Sequence, residues 1–317
     1  MTQNKTDIVS AAYAAQSIVL IAHTQPDGDT LGACFAMRNV LQRLGKTVRI
    51  CCEKGMPRQY ASLFPEGVLV LPENIKGHSE LVIALDCADR SRLGTAAAVF
   101  DGAIKTINID HHISNGGYAD INWVMEASSV GEMVFQLIQP MGVELDEYSA
   151  KYIYIAISTD TGNFTYSNTT KTSMAAAAEL IELFDLRATA EALFRRRSIA
   201  ATKLIGLALA SLETFAGGRI AAVALTEEEI KSAGAASSDC ENIVDYAREI
   251  EETKAAAFFR ETNGGVKASL RSKGNVDVGA VAQSFGGGGH MNAAGCTLQG
   301  SIESAKKQVI EKLMEIV

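Results

Sequence analysis

The sequence predicts an α/β protein. Its first part is a mostly parallel sheet flanked by helices, followed by a helical linker and a smaller C-terminal α/β domain with a mixed sheet. Three observations carry this prediction. Short, near-continuous apolar runs at 18–22, 47–52, 81–85 and 104–109 alternate with helical patterns. Strands that are apolar on both faces belong to parallel sheets covered by helices. From residue 128 the apolar spacing turns to three and four, over 130–139, 147–158, 170–184 and 189–212. Strand-like segments then return at 214–225, 255–261 and 266–270, the first containing Gly217-Gly218 as a hairpin turn. The expected division is 1–190 for the first domain, 191–212 for the helical linker and 213–317 for the second, with a cleft between the domains.

At 317 residues, two globular units are the natural reading, and 47% apolar with 21% charged residues is an ordinary globular composition. No run approaches the roughly 18 apolar residues of a spanning helix. The N-terminus lacks a basic region and a cleavage site, so it reads as the first helix of a cytoplasmic protein with no membrane partner. The cysteines Cys34, Cys51, Cys52, Cys87, Cys240 and Cys296 form no C-x-x-C pair, which argues against disulfides and a cysteine zinc site. A net charge of −8 disfavours long duplex nucleic acid, which needs many Lys and Arg contacts. A small anion remains open to a local basic pocket and metal ions.

In a parallel sheet, ligands bind beyond the carboxyl ends of the strands, so the polar residues after each strand carry the chemistry. The first strand runs into His23-Thr-Gln-Pro-Asp27-Gly-Asp29, which places an imidazole and two carboxylates on one turn. Carboxylates two residues apart raise each other's pKa unless a cation lies between them. The plainer reading is a polar turn with Asp29 capping the next helix. The next strand ends at Asp86 and the following one at Asp110-His111-His112, while Asp160 closes a later apolar helical run. One strand-end acid is usually a turn residue, but three such motifs in register are not so easily explained. His78 stands apart in a loop and reads as solvated. A set of imidazole and carboxylate ligands without sulfur suits manganese, and less well magnesium, iron or cobalt; zinc fits on ligand type alone. So many ligands suggest two ions bridged by one carboxylate, an arrangement that activates water for in-line displacement at phosphorus.

In the second domain a strand runs into Arg271-Ser272-Lys273-Gly274, and a helix leads to Gly286-Gly-Gly-Gly-His290-Met-Asn-Ala-Ala-Gly295. A glycine run is most often a flexible loop. Beside His290, Arg271 and Ser272 it becomes a phosphate or nucleotide site, because backbone amides can approach an anion closely. Arg195, Arg196 and Arg197 read mainly as a solvated helix face.

The ordered set His23, Asp27, Asp29, Asp86, Asp110-His111-His112 and Asp160, with Gly287-Gly288-Gly289-His290 and Ala294-Gly295 near the end, resembles the DHH phosphoesterase superfamily with its DHH-associated C-terminal domain. Nearly the whole chain is covered, in the family's order. The length, Asp110-His-His-Ile-Ser-Asn115 and Thr159-Asp-Thr-Gly-Asn-Phe164 are most similar to the branch that acts on short RNA and on 3′-phosphoadenosine 5′-phosphate. The resemblance implies that His23, Asp27 and Asp86 hold one metal ion. Asp29, Asp86, His111 and Asp160 would hold the other, with Asp86 bridging and a hydroxide between the ions attacking phosphorus. It further implies that His112 faces the substrate phosphate, Asp110 orients the histidines, and Asn115 holds the phosphate or the loop. Arg271, Ser272, the glycines and His290 would bind the rest of the substrate.

Related readings also fit: a phosphodiesterase for cyclic or linear signalling dinucleotides, and a non-catalytic nucleotide sensor. Sensors usually lose metal ligands, whereas every ligand type is present here. An inorganic pyrophosphatase fits the glycine motif poorly, and an exonuclease on long single strands would want a basic channel with stacking aromatics. A homodimer is compatible with the sequence.

Overall fold

The computed structural model describes residues 3–317, apart from the side chains of Gln3 and His290. The chain divides into two compact units between Arg196 and Arg197.

The first unit contains α1 (Gln3–Ala14), β1 (Ser17–Ile21), α2 (Gly28–Arg43), β2 (Thr47–Cys51), β3 (Leu69–Val70), β4 (Leu81–Leu85), α3 (Ala97–Asp101), β5 (Lys105–Asp110), β6 (Ile121–Val124), α4 (Val130–Ile138), α5 (Glu147–Asp160), α6 (Lys171–Leu180) and α7 (Leu186–Phe194). Its sheet has the order β3-β2-β1-β4-β5-β6 with every neighbouring pair parallel. The order reverses between β1 and β4, which is where a doubly wound sheet opens a ligand crevice at its carboxyl edge. Strand residues alternate between two cores. Ile18, Leu20, Ile83 and Ile107 pack with residues of α2, α4 and α5, while Val19, Ile21, Val82 and Ala84 pack with Leu93, Ala96 and Phe100 in a thinner layer.

The helices on the thick face come unusually close. A Cβ on Gly28 would lie 2.4 Å from Thr159 Oγ1, and one on Gly131 would lie 2.3 Å from the Ala156 Cβ. Glycine at these positions lets the starts of α2 and α4 meet the end of α5, where Asp29 and Asp160 sit. The cap of α2 is Asp27, whose Oδ1 accepts from the amides of Asp29 and Thr30. Asp29 is therefore not the cap, and its carboxylate is left for another use.

The second unit contains α8 (Ile199–Ala210), β7 (Glu213–Phe215), β8 (Ile220–Leu225), α9 (Glu227–Ser232), α10 (Ile243–Arg248), β9 (Ala255–Thr262), β10 (Gly265–Ser272), α11 (Val278–Ser284), β11 (Gly288–His290), β12 (Ala293–Leu298) and α12 (Ile302–Met314). Its sheet order is β11-β12-β10-β9-β8-β7, antiparallel except where β8 pairs with β9. One face packs with α11 and α12, the other with α8 and α10.

Two expectations change. The apolar pattern over 189–212 is broken: α7 stops at Phe194, and Ser198 starts α8 by accepting from the Ala201 amide. The glycine run is a strand rather than an open loop. Gly288–His290 pairs with β12, and Cβ atoms on Gly287 and Gly289 would fall 2.2 Å from the Gly295 carbonyl oxygen and 2.4 Å from that of Ala293. Among the described residues no helix is long and apolar enough to cross a membrane.

Candidate metal centre

The predicted acids and imidazoles converge at the carboxyl edge of the parallel sheet. After β1, the nearly buried His23 points Nε2 at Asp27 Oδ2 (3.6 Å) and Asp86 Oδ2 (3.5 Å). Asp86 follows β4 with φ +62°, a left-handed conformation uncommon for a non-glycine residue, and is only 3% exposed. Its Oδ1 lies 3.6 Å from both His111 Nε2 and His112 Nδ1. His111 Nε2 is also 3.6 Å from Asp160 Oδ2 at the end of α5. The Nδ1 of His111 faces the Ala127 carbonyl at 3.2 Å, so donating there fixes its tautomer and leaves Nε2 a lone pair directed at the acids. Asp29, buried beneath them, accepts from the first amides of α4, Val130 to Oδ2 at 2.7 Å and Gly131 to Oδ1 at 2.8 Å. A carboxylate there also complements the helix dipole.

The electrostatics are those of crowded like charges. Burial, then the charges of Asp86, Asp160 and Asp27, pushes the Asp29 carboxyl well above its ordinary value. Burial and Asp27 do the same to Asp86, with Asp160 and Asp110 adding and His112 opposing. Asp160 is raised to about 7 by burial and Asp27, against the pull of His112. Asp86 Oδ1 is buried and accepts no hydrogen bond. An orphaned carboxylate oxygen ringed by imidazoles and other acids costs several kcal/mol of free energy unless a cation completes it. Three overlapping sets bring their ligand atoms within 4.8 Å of one another: His23, Asp27 and Asp86; Asp86, His111 and His112; and Asp29, His111 and Asp160. Asp86 belongs to the first two and His111 to the last two. The donor set fits divalent metal ions.

Asp110 lies behind this cluster, fully buried. Its Oδ1 is 2.8 Å from His112 Nδ1, and its Oδ2 accepts from Asn115 Nδ2 at 2.7 Å. Burial would raise the Asp110 carboxyl, but the His112 and Asn115 contacts outweigh it and hold the value low. His112 responds oppositely: burial disfavours its charged form, yet Asp110 and Asp86 raise its pKa. The amide of Asn115 also donates to the Cys87 carbonyl, and its Oδ1 accepts from the Gly117 amide. These contacts tie the Asn115 side chain to its own loop and to Asp110.

The remaining predicted residues lie in the second unit. Arg271, at the end of β10, is partly exposed. Ser272 is 3% exposed, donates to the Val276 carbonyl and accepts from Asn292 Nδ2, so its hydroxyl serves the fold. The His290 side chain lies outside the described residues. His78 is an exposed loop residue, its Nδ1 2.9 Å from the Gly102 carbonyl oxygen.

Sequence reasoning missed two residues that frame the cluster. Asn168 Nδ2 donates to the Ser128 and Asp160 carbonyls and lies 3.5 Å from Asp160 Oδ2, which steadies that ligand. Arg92 places Nη2 3.4 Å from His23 Nδ1. Neither has a signal in the sequence beyond being polar in a loop or turn.

A doubly wound sheet with this cluster at its crevice defines a class, the phosphoesterases that work with divalent metal ions. The models of the DHH family N-terminal domain and of the DHHA1 domain match residues 17–158 and 217–317. The chain belongs to the DHH phosphoesterase family. It is 32% identical to a bifunctional oligoribonuclease and PAP phosphatase of Thermus thermophilus, covering 94% of this chain and 89% of the relative. A protein of the same description from Bacillus subtilis is 28% identical, with 93% of each chain covered. An exopolyphosphatase-related protein of Bacteroides fragilis has a similar crystal structure, with a TM-score of 0.93 at 26% identity over 99% of this chain and 96% of that one.

Proposed function

We propose that this protein hydrolyses short oligoribonucleotides, dimer to pentamer, to mononucleotides, and 3′-phosphoadenosine 5′-phosphate to AMP, using two manganese ions in the cytoplasm. The observation that carries the reading is the buried, unpartnered Asp86 Oδ1 within 3.6 Å of His111 Nε2 and His112 Nδ1. His23, Asp27 and Asp86 are suited to hold one ion, and Asp29, Asp86, His111 and Asp160 the other. When bound, such ions acidify water to a nucleophile and polarise the phosphoryl oxygens. The chain's own contribution is orientation. Asp110 favours the charged form of His112 and, bonded at Nδ1, aims its ring, and Asn115 keeps Asp110 in place.

In this reading 1–190 is the catalytic domain, 191–212 the linker and 213–317 the substrate-binding domain. Arg271, the Gly287–Gly289 backbone and His290 would grip the nucleotide away from the scissile bond. Ser272 drops out of that list because its hydroxyl is already used. The names of the two bacterial relatives support the substrate class, and the net charge of −8 agrees with short substrates rather than long strands.

The test is to incubate the protein and manganese with labelled RNA dimers to pentamers, a long RNA, 3′-phosphoadenosine 5′-phosphate, and linear and cyclic diadenylates, with Asp110→Ala and His111→Ala as controls. Fast manganese-dependent loss of the shortest RNAs and release of phosphate from the bisphosphate, absent in both variants, is the expected result. Preference for a cyclic dinucleotide would move the protein into signalling, and no turnover despite bound metal would leave a sensor.

A further inference from the structure

A short segment between β6 and the first turn of α4, residues 127–131, reaches three of the predicted metal ligands. The Ala127 carbonyl faces His111 Nδ1 at 3.2 Å. The Ser128 carbonyl accepts from Asn168 Nδ2 at 2.9 Å, and the same Asn168 amide donates to the Asp160 carbonyl at 3.1 Å. The Val130 and Gly131 amides donate to the two carboxylate oxygens of Asp29. His111, Asp160 and Asp29 are also one of the three sets whose ligand atoms converge. Asp27, in another of those sets, is held instead by the Asp29 and Thr30 amides of its own turn.

Glu132 fixes this segment. The helix α4 starts on Ser129, whose hydroxyl oxygen accepts from the Glu132 amide at 3.0 Å. A glutamate three residues after a serine cap ordinarily returns its carboxylate to the amide of the cap itself. Glu132 reaches one residue further back, where its Oε2 accepts from the Ser128 hydroxyl at 2.7 Å and from the Ser128 amide at 3.3 Å. Its Oε1 accepts from Gln136 Nε2 at 3.3 Å, and the Lys5 ammonium donates to Gln136 Oε1 at 2.8 Å. Glu132 is only 4% exposed, and Ser128 is fully buried. An exposed glutamate would serve the helix equally, without the cost of burying a carboxylate. What the burial provides is a grip on Ser128, which stands between the carbonyl facing His111 and the amides that hold Asp29.

We propose that Glu132 is a positioning residue for one ion of the pair. By pinning Ser128 it sets Ala127 against His111, Asn168 against Asp160 and the helix amides against Asp29, so these three ligands tighten or loosen together. His23 and Asp27 do not depend on it. This inference rests on the two-metal reading above.

The test uses the full chain and manganese alone, without substrate. Wild type is compared with Glu132→Ala, Glu132→Gln, Ser128→Ala and, as a control for lost stability, Ser149→Ala. The buried Ser149 accepts from Asn39 at the start of α5, the opposite end of that helix from Asp160. Thermal midpoints of the metal-free proteins establish which variants are folded, and Ser128→Ala carries the test if the Glu132 variants are not. Equilibrium dialysis counts the ions bound per chain, and the manganese spin-resonance spectrum distinguishes a lone ion from a coupled pair. Glu132→Ala and Ser128→Ala are expected to keep one ion at wild-type affinity and to bind the other about 10- to 100-fold more weakly, the usual cost of removing a partner that orients a ligand. At manganese concentrations between those two affinities they should give the lone-ion spectrum, where wild type and Ser149→Ala give that of the pair. Glu132→Gln should lose less than Glu132→Ala, because an amide oxygen still accepts from Ser128. Folded variants with both affinities unchanged, or with both weakened alike, overturn the inference while leaving the enzyme reading intact. A wild-type protein that takes up fewer than two manganese ions overturns the reading beneath it.

Discussion

The two sheets of this protein gather charge in opposite senses. In the first unit every strand is parallel, so β1, β4 and β5 all deliver their next residues to one edge, and those residues are mostly acids. The result is a set of carboxyls whose pKa values are raised by burial and by one another. In the second unit, antiparallel pairing brings the end of β10 beside the β11–β12 hairpin, and Arg271 and Arg248 there lie 3.9 and 3.3 Å from Asp245 Oδ1. The first arrangement is one that a cation completes.

The largest way to break this comparison is Asp86→Asn. Asp86 touches both histidine clusters, so losing its charge should lower kcat/KM by about 10³-fold or more, as expected when several kcal/mol of metal-derived stabilisation go. The same change should raise the thermal midpoint of the cation-free protein, since it removes like-charge repulsion at a buried position. A cation-free variant no more stable than wild type would show that repulsion does not govern the first site.

The pH dependence sharpens the same point. Asp160 has an ordinary value of 3.8 and is raised to about 7 in the folded, cation-free protein. Between those values the folded state holds a proton that the unfolded state has released, so this group's contribution to stability is present at low pH and is lost as pH rises through about 7. A cation replaces that proton. The rise in thermal midpoint caused by manganese should therefore grow from about pH 5 to about pH 7.5 and then level off. A manganese effect that is flat over this range would contradict the assignment of Asp160 as a ligand.

An intermediate effect is expected at Asn115, whose side chain ties Asp110 to the Cys87 carbonyl and the Gly117 turn. Asn115→Ala should lower kcat about 10- to 100-fold, the usual cost of a partner that orients a functional histidine. KM should change little. If Asn115→Ala raised KM instead, the residue would belong with the phosphate contacts.

The acids of the metal centre were legible in the sequence because parallel strands turn sequence order into spatial register. Once 18–22, 81–85 and 104–109 read as buried strands, His23, Asp86 and Asp110 had to share an edge. What supports them was not legible. The Val130 and Gly131 amides reach Asp29 because α2, α4 and α5 pack through glycine and alanine, a contact between segments about a hundred residues apart. Asn168 sits in Ser-Asn-Thr-Thr, which looks like any turn. The two-residue β3 and the half-buried β6 have too little apolar pattern to announce themselves. The break between α7 and α8 was hidden by apolar spacing that continues through it, although Ser198 is a good helix cap.

The smallest expected effect falls at a residue whose sequence context pointed to the substrate. Ser272 follows Arg271 directly and reads as part of a phosphate grip, but strand alternation turns it to the opposite face of β10 from Arg271. There its hydroxyl donates to the Val276 carbonyl at 2.6 Å and accepts from Asn292 Nδ2 at 2.8 Å, pinning the loop into α11 to the one after β11. Ser272→Ala should cost about 1–3 kcal/mol of stability, the penalty for leaving buried polar groups unpaired. At a temperature where the variant is fully folded, its KM for 3′-phosphoadenosine 5′-phosphate should stay within about twofold of wild type, since a neutral contact that is never made has nothing to lose. A KM raised about tenfold without a drop in thermal midpoint would put the hydroxyl on the phosphate, and the phosphate site would then extend along the strand from Arg271.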